Sequence, residues 1–167
     1  MDWVCHWDTP LGPVTAASDG ESLIGLWFDG QRHFAAGLSP ERREADLPVF
    51  REVRRWLTLY FHGREPDSAP PLAPRGTAFQ RAVWEILRAI PYGEIVTYGT
   101  VAAAMARETG ESVSPRAVGG AVGRNPISLL IPCHRVVGAG GALTGYAGGL
   151  DRKRALLALE KSGIKFT

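Results

Sequence analysis

The sequence is poor in several things that would have fixed its class at once. Two cysteines among 167 residues are too few for a disulfide framework, so the thiols are expected to be reduced and the chain intracellular. No apolar run approaches bilayer length; Ile127 to Pro132 is among the longest. The start, Met1-Asp2-Trp3, lacks the basic and apolar regions of a secretory signal, which predicts a cytoplasmic protein with no membrane partner. No internal repeat is present and no phosphate-cradling glycine loop, so no nucleotide cofactor is expected. Net charge is only +2, which by itself favours no polyanionic partner.

What is present is a chain of ordinary globular balance, 45% hydrophobic and 22% charged. The charge is unevenly spread. Residues 1–76 carry a net −3 and residues 77–167 a net +5. A basic second half is the usual electrostatic footprint of nucleic-acid binding. Between the halves, Pro66, Pro70, Pro71 and Pro74 crowd a stretch that fits neither helix nor central strand. The expected organisation is an N-terminal domain over 1–65, a proline-rich connector over 66–76 and a second domain over 77–167.

In the first domain, Trp3, Cys5 and Trp7 alternate with Val4 and His6, predicting a strand. Val14 to Ser18 and Leu23 to Phe28 predict two more, separated by the turn dipeptide Asp19-Gly20. Helical spacing of Val49, Phe50, Val53, Leu57, Tyr60 and Phe61 predicts a helix from Leu47 to Phe61. The result is a small α+β domain, a β-meander with one helix, and no chemical constellation of its own.

The second domain reads more sharply. Thr77-Ala-Phe-Gln80 has the form of a capping box, and Phe79, Val83, Ile86, Leu87 and Ile90 line one face of the helix that follows. Ile95 to Tyr98 is expected to be extended, Val101 to Ala106 helical, and Ser114-Pro115 to open another helix through Arg124. Ser128 to Ile131 reads as a strand, glycines from 138 to 149 as a loose hairpin, and Asp151 as the cap of a last helix through Glu160, with Gly163 at its end. Three helices, a strand and a hairpin suggest a winged helix-turn-helix.

Two features carry chemistry. The helix Arg116-Ala-Val-Gly-Gly-Ala-Val-Gly-Arg124 holds three glycines, which should cost about 3 kcal/mol relative to alanine. Such smoothness serves either close packing on a neighbouring helix or close approach to a nucleic-acid groove, with Arg116 and Arg124 at its ends for contact. The second feature is Ile131-Pro132-Cys133-His134-Arg135. An imidazole and a guanidinium beside a thiol favour the thiolate, the nucleophilic form. A buried structural cysteine, a zinc site shared with Cys5-His6, and a Cys–His hydrolase are the other readings, but neither Cys-His pair has the usual spacing of zinc ligands.

The run Asn125-Pro-Ile-Ser-Leu-Leu-Ile-Pro-Cys-His-Arg-Val-Val137 resembles the active-site signature of the O6-alkylguanine-DNA alkyltransferase family. The resemblance covers Gly76 to about Gly163 and includes Gly76-Thr-Ala-Phe-Gln80, Ile90-Pro-Tyr-Gly-Glu94, Arg116-Ala-Val-Gly-Gly120 and Thr144-Gly-Tyr-Ala-Gly-Gly149. It implies an α+β protein in which a ribonuclease H-like domain precedes a catalytic winged helix-turn-helix. It further implies one-turnover transfer of an alkyl group from O6 of guanine, or O4 of thymine, to Cys133. By the same resemblance His134 takes the thiol proton, Glu160 orients His134, Tyr98 serves the base, and Asn125 ties the recognition helix to the active-site turn. Arg116 would fill the gap left by a flipped base. Ala117, Gly119, Gly120, Arg124 and Arg135 would contact DNA through the minor groove, and Val136, Tyr146 and Ala147 would line the base pocket. The expected partner is duplex DNA bound by a monomer, with cooperativity along DNA unreadable. Neither a cofactor nor a metal is expected. The segment Arg107 to Pro115 is longer than the family's common form. Rival readings are a lesion sensor that transfers nothing and a sequence-specific regulator; Ala and Gly on the recognition helix argue against the regulator, because they read no base edges.

Overall fold

The structure, a computed structural model, describes residues 1–162. Chain order gives β1 (Asp2–Thr9), β2 (Gly12–Ser18), β3 (Leu23–Phe28), β4 (Arg42–Glu44) and α1 (Pro48–Phe61) in the N-terminal domain. The C-terminal domain follows with α2 (Ala78–Arg88), β5 (Val96–Thr97), α3 (Tyr98–Thr109), α4 (Pro115–Gly123), β6 (Val136–Val137) and α5 (Leu150–Ser162).

The expected meander is there. β1 pairs antiparallel with β2, and β2 with β3. The sheet order is β3-β2-β1-β4, with β4 parallel to β1. β4 escaped the sequence reading because Arg42-Arg43-Glu44 is fully exposed and carries no apolar alternation. One sheet face, with Val14, Ala16, Leu26 and Phe28, packs on α1. The other buries Val4, Ala17, Ile24 and Trp27 under Leu38 and Ala73.

The proline-rich connector lies along the free edge of β3. Leu23 donates its amide to Pro71 and accepts from Ala73, each at 2.8 Å. Prolines suit this position because an edge needs only alternate donors. Farther along the same edge, Leu26 exchanges backbone bonds with Pro126 and Ser128 at 2.8 and 2.9 Å. The N-terminal sheet therefore holds the loop after α4 directly, and one continuous apolar core runs from Val14 through Tyr60 and Trp84 to Leu159.

Thr77 makes the capping box with Gln80 as expected. α3 and α4 form the helix-turn-helix, and α2 packs across both. Trp84 on α2 donates its indole N–H to the carbonyl of Ala121 at 2.8 Å, which fixes the height of α4.

Four expectations are corrected. Tyr98 is not extended but opens α3, because Thr97 accepts the Thr100 amide at 3.1 Å as an N-cap. Ser128 to Ile131 is a turn rather than a strand. Asn125 closes it from both sides, accepting from the Ile127 amide and donating to the Ile131 carbonyl, and Leu129 takes φ 73°. Its apolar run is buried on all sides, so it shows no period to read. Residues 138–149 form no hairpin. Gly140, Gly141, Gly145 and Gly149 take positive φ, and the carbonyls of Thr144 and Gly145 are bound by Lys153. β6 pairs instead with β5, in parallel. Finally, α5 starts at Leu150, so Asp151 lies in its first turn, where it accepts from Arg154 at 3.2 Å. Gly163 lies outside the described residues.

Replacing Trp84 with Phe should remove the indole donor and leave the Ala121 carbonyl with only the Arg124 amide, at 3.2 Å. Urea denaturation is expected to show a loss of about 1 kcal/mol with an unchanged m-value.

Candidate active site

Cys133 opens a single turn of 3-10 helix, Cys133–Arg135, directly after the Asn125-closed turn. It is buried, and it sits at the base of a cavity of about 360 Å³. Gly119, Gly120, Gly123 and Arg124 wall this cavity from α4, Tyr98 from α3, and Gly145, Tyr146 and Ala147 from the glycine-rich segment. Burial pushes the Cys133 thiol up from its ordinary value. The Asn125 side chain, the Lys153 charge and the local amides oppose that shift but do not reverse it. The resting sulfur is a thiol.

Beside it lies a closed polar cluster. His134 is wholly buried, and its Nε2 sits 2.6 Å from Oε2 of Glu160. Arg135 donates through Nε to Oε1 at 2.7 Å and through Nη2 to Oε2 at 3.1 Å. The Gly93 amide reaches Oε1 at 3.1 Å, and the Tyr60 hydroxyl donates to Oε2 at 2.5 Å. Burial alone pushes the Glu160 carboxyl up. Hydrogen bonds and charge from His134 and Arg135 outweigh it and hold the group at about 2. Glu160 is thus a carboxylate, and His134 donates to it from Nε2. Burial also lowers His134, although Glu160 pulls the other way, so the ring rests neutral. Its Nδ1 has no protein hydrogen-bond partner among the described residues and keeps its lone pair. A neutral imidazole with an anchored tautomer and a free lone pair next to a thiol is a proton acceptor.

The structure brings Cys133, His134, Glu160, Asn125, Tyr98, Tyr146 and Ala147 into one region. Arg116 and Ala117 stand exposed at the start of α4, and Arg124 is exposed at its end. Two expected residues sit elsewhere. Arg135 is only 8% exposed, with its donors spent on Glu160 and the Ile90 carbonyl, so it buttresses the carboxylate rather than meeting DNA. Val136 is wholly buried with its carbonyl taken by Lys153 at 2.6 Å, and it does not line the cavity.

Sequence reasoning missed Lys153, Tyr60, Arg32 and His33. Lys153 is wholly buried and gives its ammonium to the carbonyls of Val136, Thr144 and Gly145. A signal was available: Lys153 and Glu160 fall in phase with Leu156 on the buried stripe of α5. Arg32 and His33 reach the cavity from the loop after β3, where the Arg32 amide bonds the Ala147 carbonyl at 3.1 Å. Nothing local in the sequence marks that approach.

The three glycines of α4 now separate the two readings of its smoothness. A Cβ at Gly120 or Gly123 would meet nothing within 4 Å, and one at Gly119 only the Tyr98 ring at 3.9 Å. Packing inside the chain requires none of them.

Fold and site define a class: a helix-turn-helix domain whose smooth second helix borders a cavity ending on a buried thiol, followed in the chain by a buried imidazole bonded to a carboxylate. Comparison with known proteins narrows it. Residues 78–162 match the family described as 6-O-methylguanine DNA methyltransferase, DNA binding domain, and residues 6–74 match its ribonuclease-like domain. The methylated-DNA–protein-cysteine methyltransferase of Haemophilus influenzae is 45% identical, over 93% of this chain and 84% of its own. That of Methanosarcina acetivorans is 44% identical, over 93% and 96%. The crystal structure of Mycobacterium tuberculosis OGT in complex with DNA superposes with TM-score 0.84 at 41% identity, covering 98% of this chain and 95% of that one. The chain belongs to the O6-methylguanine-DNA methyltransferase family.

The depressed Glu160 carboxyl links acid to stability. Its contribution is complete above about pH 4.5 and is lost as pH falls toward about 2, because the unfolded chain then binds a proton that the folded chain refuses. Urea midpoints across that window should fall for the wild type. Glu160→Gln should be less stable at neutral pH and flatter across the window.

Proposed function

We propose that the protein repairs DNA by direct reversal, moving the alkyl group of O6-alkylguanine, or of O4-alkylthymine, onto Cys133 in one irreversible turnover. The observation that carries this reading is a cavity lined by the buried Cys133 thiol and by Gly119, Gly120 and Gly123 of α4, with the buried His134–Glu160 pair beginning at the next residue.

Duplex DNA approaches α4 through its minor groove, where Gly120 and Gly123 let the backbones come close. Arg116 and Arg124 are exposed at the two ends of the helix for phosphate or stack contact. A stacked base cannot reach a buried sulfur, so the lesion leaves the duplex and enters the cavity, with Arg116 filling the gap. Tyr146 and Ala147 flank the base. Tyr98 donates to the Thr144 carbonyl at 3.4 Å, a long bond that a bound base can replace.

The thiol proton passes to Nδ1 of His134 through a bridging water, and Glu160 balances the imidazolium. Cys133 Sγ attacks the alkyl carbon in line with the C–O6 bond. The S–C bond forms, the C–O6 bond breaks, and its electron pair stays on the guanine oxygen. A donor from Tyr98 stabilises that anion. Lys153, which opposes the upward shift of the thiol, supports the thiolate during attack. The product thioether has no good leaving group, so the thiol is not regenerated. The alkyl group comes from the lesion and stays on the protein, so the chemistry calls for no cofactor.

Residues 1–65 and 77–167 act as the two domains, joined by 66–76, and a monomer holds every group the reaction uses. A reactive thiol of this kind suits a reducing compartment, the cytoplasm with its nucleoid. No helix of the described residues is long and apolar enough to cross a membrane.

The direct test is mass analysis after mixing the protein with a duplex carrying one O6-methylguanine. The peptide Asn125–Arg135 should gain one methyl, stoichiometrically and without recycling, and Cys133→Ser should gain none. Lesion-selective binding with no methyl on the peptide would make the protein a sensor instead. A second variant isolates the DNA face. Gly120→Leu should fold with equal or higher thermal stability, since the site is open and leucine gains up to about 0.8 kcal/mol in helix propensity. Its affinity for duplex should nevertheless fall at least about tenfold, equivalent to about 1.4 kcal/mol.

A further inference from the structure

We infer that Tyr60, from the N-terminal domain, is a positioning residue for the transfer reaction: its hydroxyl holds the Glu160 carboxylate and keeps that carboxylate from drawing a proton permanently onto His134. The inference rests on the proposed role of Cys133 and assigns α1 a part in the chemistry of the other domain.

Tyr60 is wholly buried on α1, 100 residues from Glu160 in sequence. Its hydroxyl donates to Oε2 at 2.5 Å, the same oxygen that faces His134 Nε2 at 2.6 Å. The hydroxyl and Nε2 are themselves 3.4 Å apart, so phenol and imidazole share one acceptor. The phenol ring has little freedom. It stacks on Trp56 at 5.0 Å and 11°, and meets Phe61, Tyr92 and His134 edge to face. A buried tyrosine hydroxyl needs some acceptor. This one has taken the carboxylate that orients the base.

A neutral donor on Oε2 spreads the carboxylate's charge and weakens its hold on an imidazolium. That matters because His134 must begin neutral to accept the thiol proton. The groups facing His134 are Glu160 and Lys153 from α5, Arg135 from its own turn, Tyr60 from α1 and Tyr146 from the glycine-rich segment, with Tyr92 edge-on behind Tyr60 and Cys133 the residue before it in the chain. Arg135 and Lys153 oppose an imidazolium and Glu160 favours one. Tyr60 offsets Glu160 without adding charge. Burial and the neighbouring Glu160 raise the phenol far above its ordinary range, so it remains a donor throughout.

Tyr60→Phe removes the hydroxyl and keeps the ring. Single-turnover methyl transfer from O6-methylguanine duplex is followed from about pH 5 to 9, with lesion affinity measured separately. The acid limb of the rate profile should move up by about one pH unit, with slower transfer at neutral pH and unchanged affinity. Alkylation of Cys133 by iodoacetamide, read on its own peptide over the same range, should shift equally. An acid limb at the wild-type position overturns the inference, whether or not the rate is scaled down. If the wild type transfers no methyl, the proposed function fails, and the iodoacetamide profile still decides the role of Tyr60. Should the variant not fold, proton NMR of the wild type decides instead. A slowly exchanging, downfield Tyr60 hydroxyl proton in contact with the His134 ring is expected, and its absence overturns the inference.

Discussion

The Glu160 carboxylate is the constraint on which the rest of the site depends. Buried and ionised, it is tolerable only with its lone pairs filled. Five donor contacts fill them, from α1, the turn after α2, His134 and two arms of Arg135. Each donor is thereby placed to within a hydrogen bond. The His134 tautomer follows, and so does the position of the turn that carries Cys133. Four separate parts of the chain, α1, the turn after α2, the Cys133–Arg135 turn and α5, meet at this one carboxylate.

Lys153 plays the matching part on the other side. One buried ammonium gathers the Val136 carbonyl of β6 and the Thr144 and Gly145 carbonyls of the irregular glycine-rich segment that follows. The segment can therefore be irregular and still present Tyr146 and Ala147 to the cavity. Because Glu160 and Lys153 lie on one face of α5, a single helix organises both the base and the pocket wall.

The two domains are coupled mechanically as well as chemically. The edge of β3 carries the connector and the Pro126–Ser128 turn in the same direction, so the N-terminal sheet serves as a template for the active-site loop. On the far side of the cavity, α4 gives up helix propensity at three glycines whose absent side chains nothing in the chain needs. That sacrifice is intelligible only as an accommodation of something outside the chain, and a polyanion fits the basic charge of this half.

Local signals settled a good deal from sequence alone. The period-two strands, the helix ending at Phe61, the Thr77 capping box and the Ser114-Pro115 start were legible because each depends on neighbours a few residues apart. The Cys-His pair and the signature around it were legible for the same reason. Tertiary structure decided what local pattern cannot carry. The Ser128–Ile131 run became a turn because Asn125 closes it, and the expected hairpin dissolved because Lys153 took its carbonyls. Arg135 turned inward to a carboxylate 25 residues away, and Tyr60 reached the same carboxylate across 100. The physical reason is common to all four. Satisfying a buried charge or an orphaned backbone group is a demand of three-dimensional neighbours, and the identity of those neighbours is not written in sequence spacing.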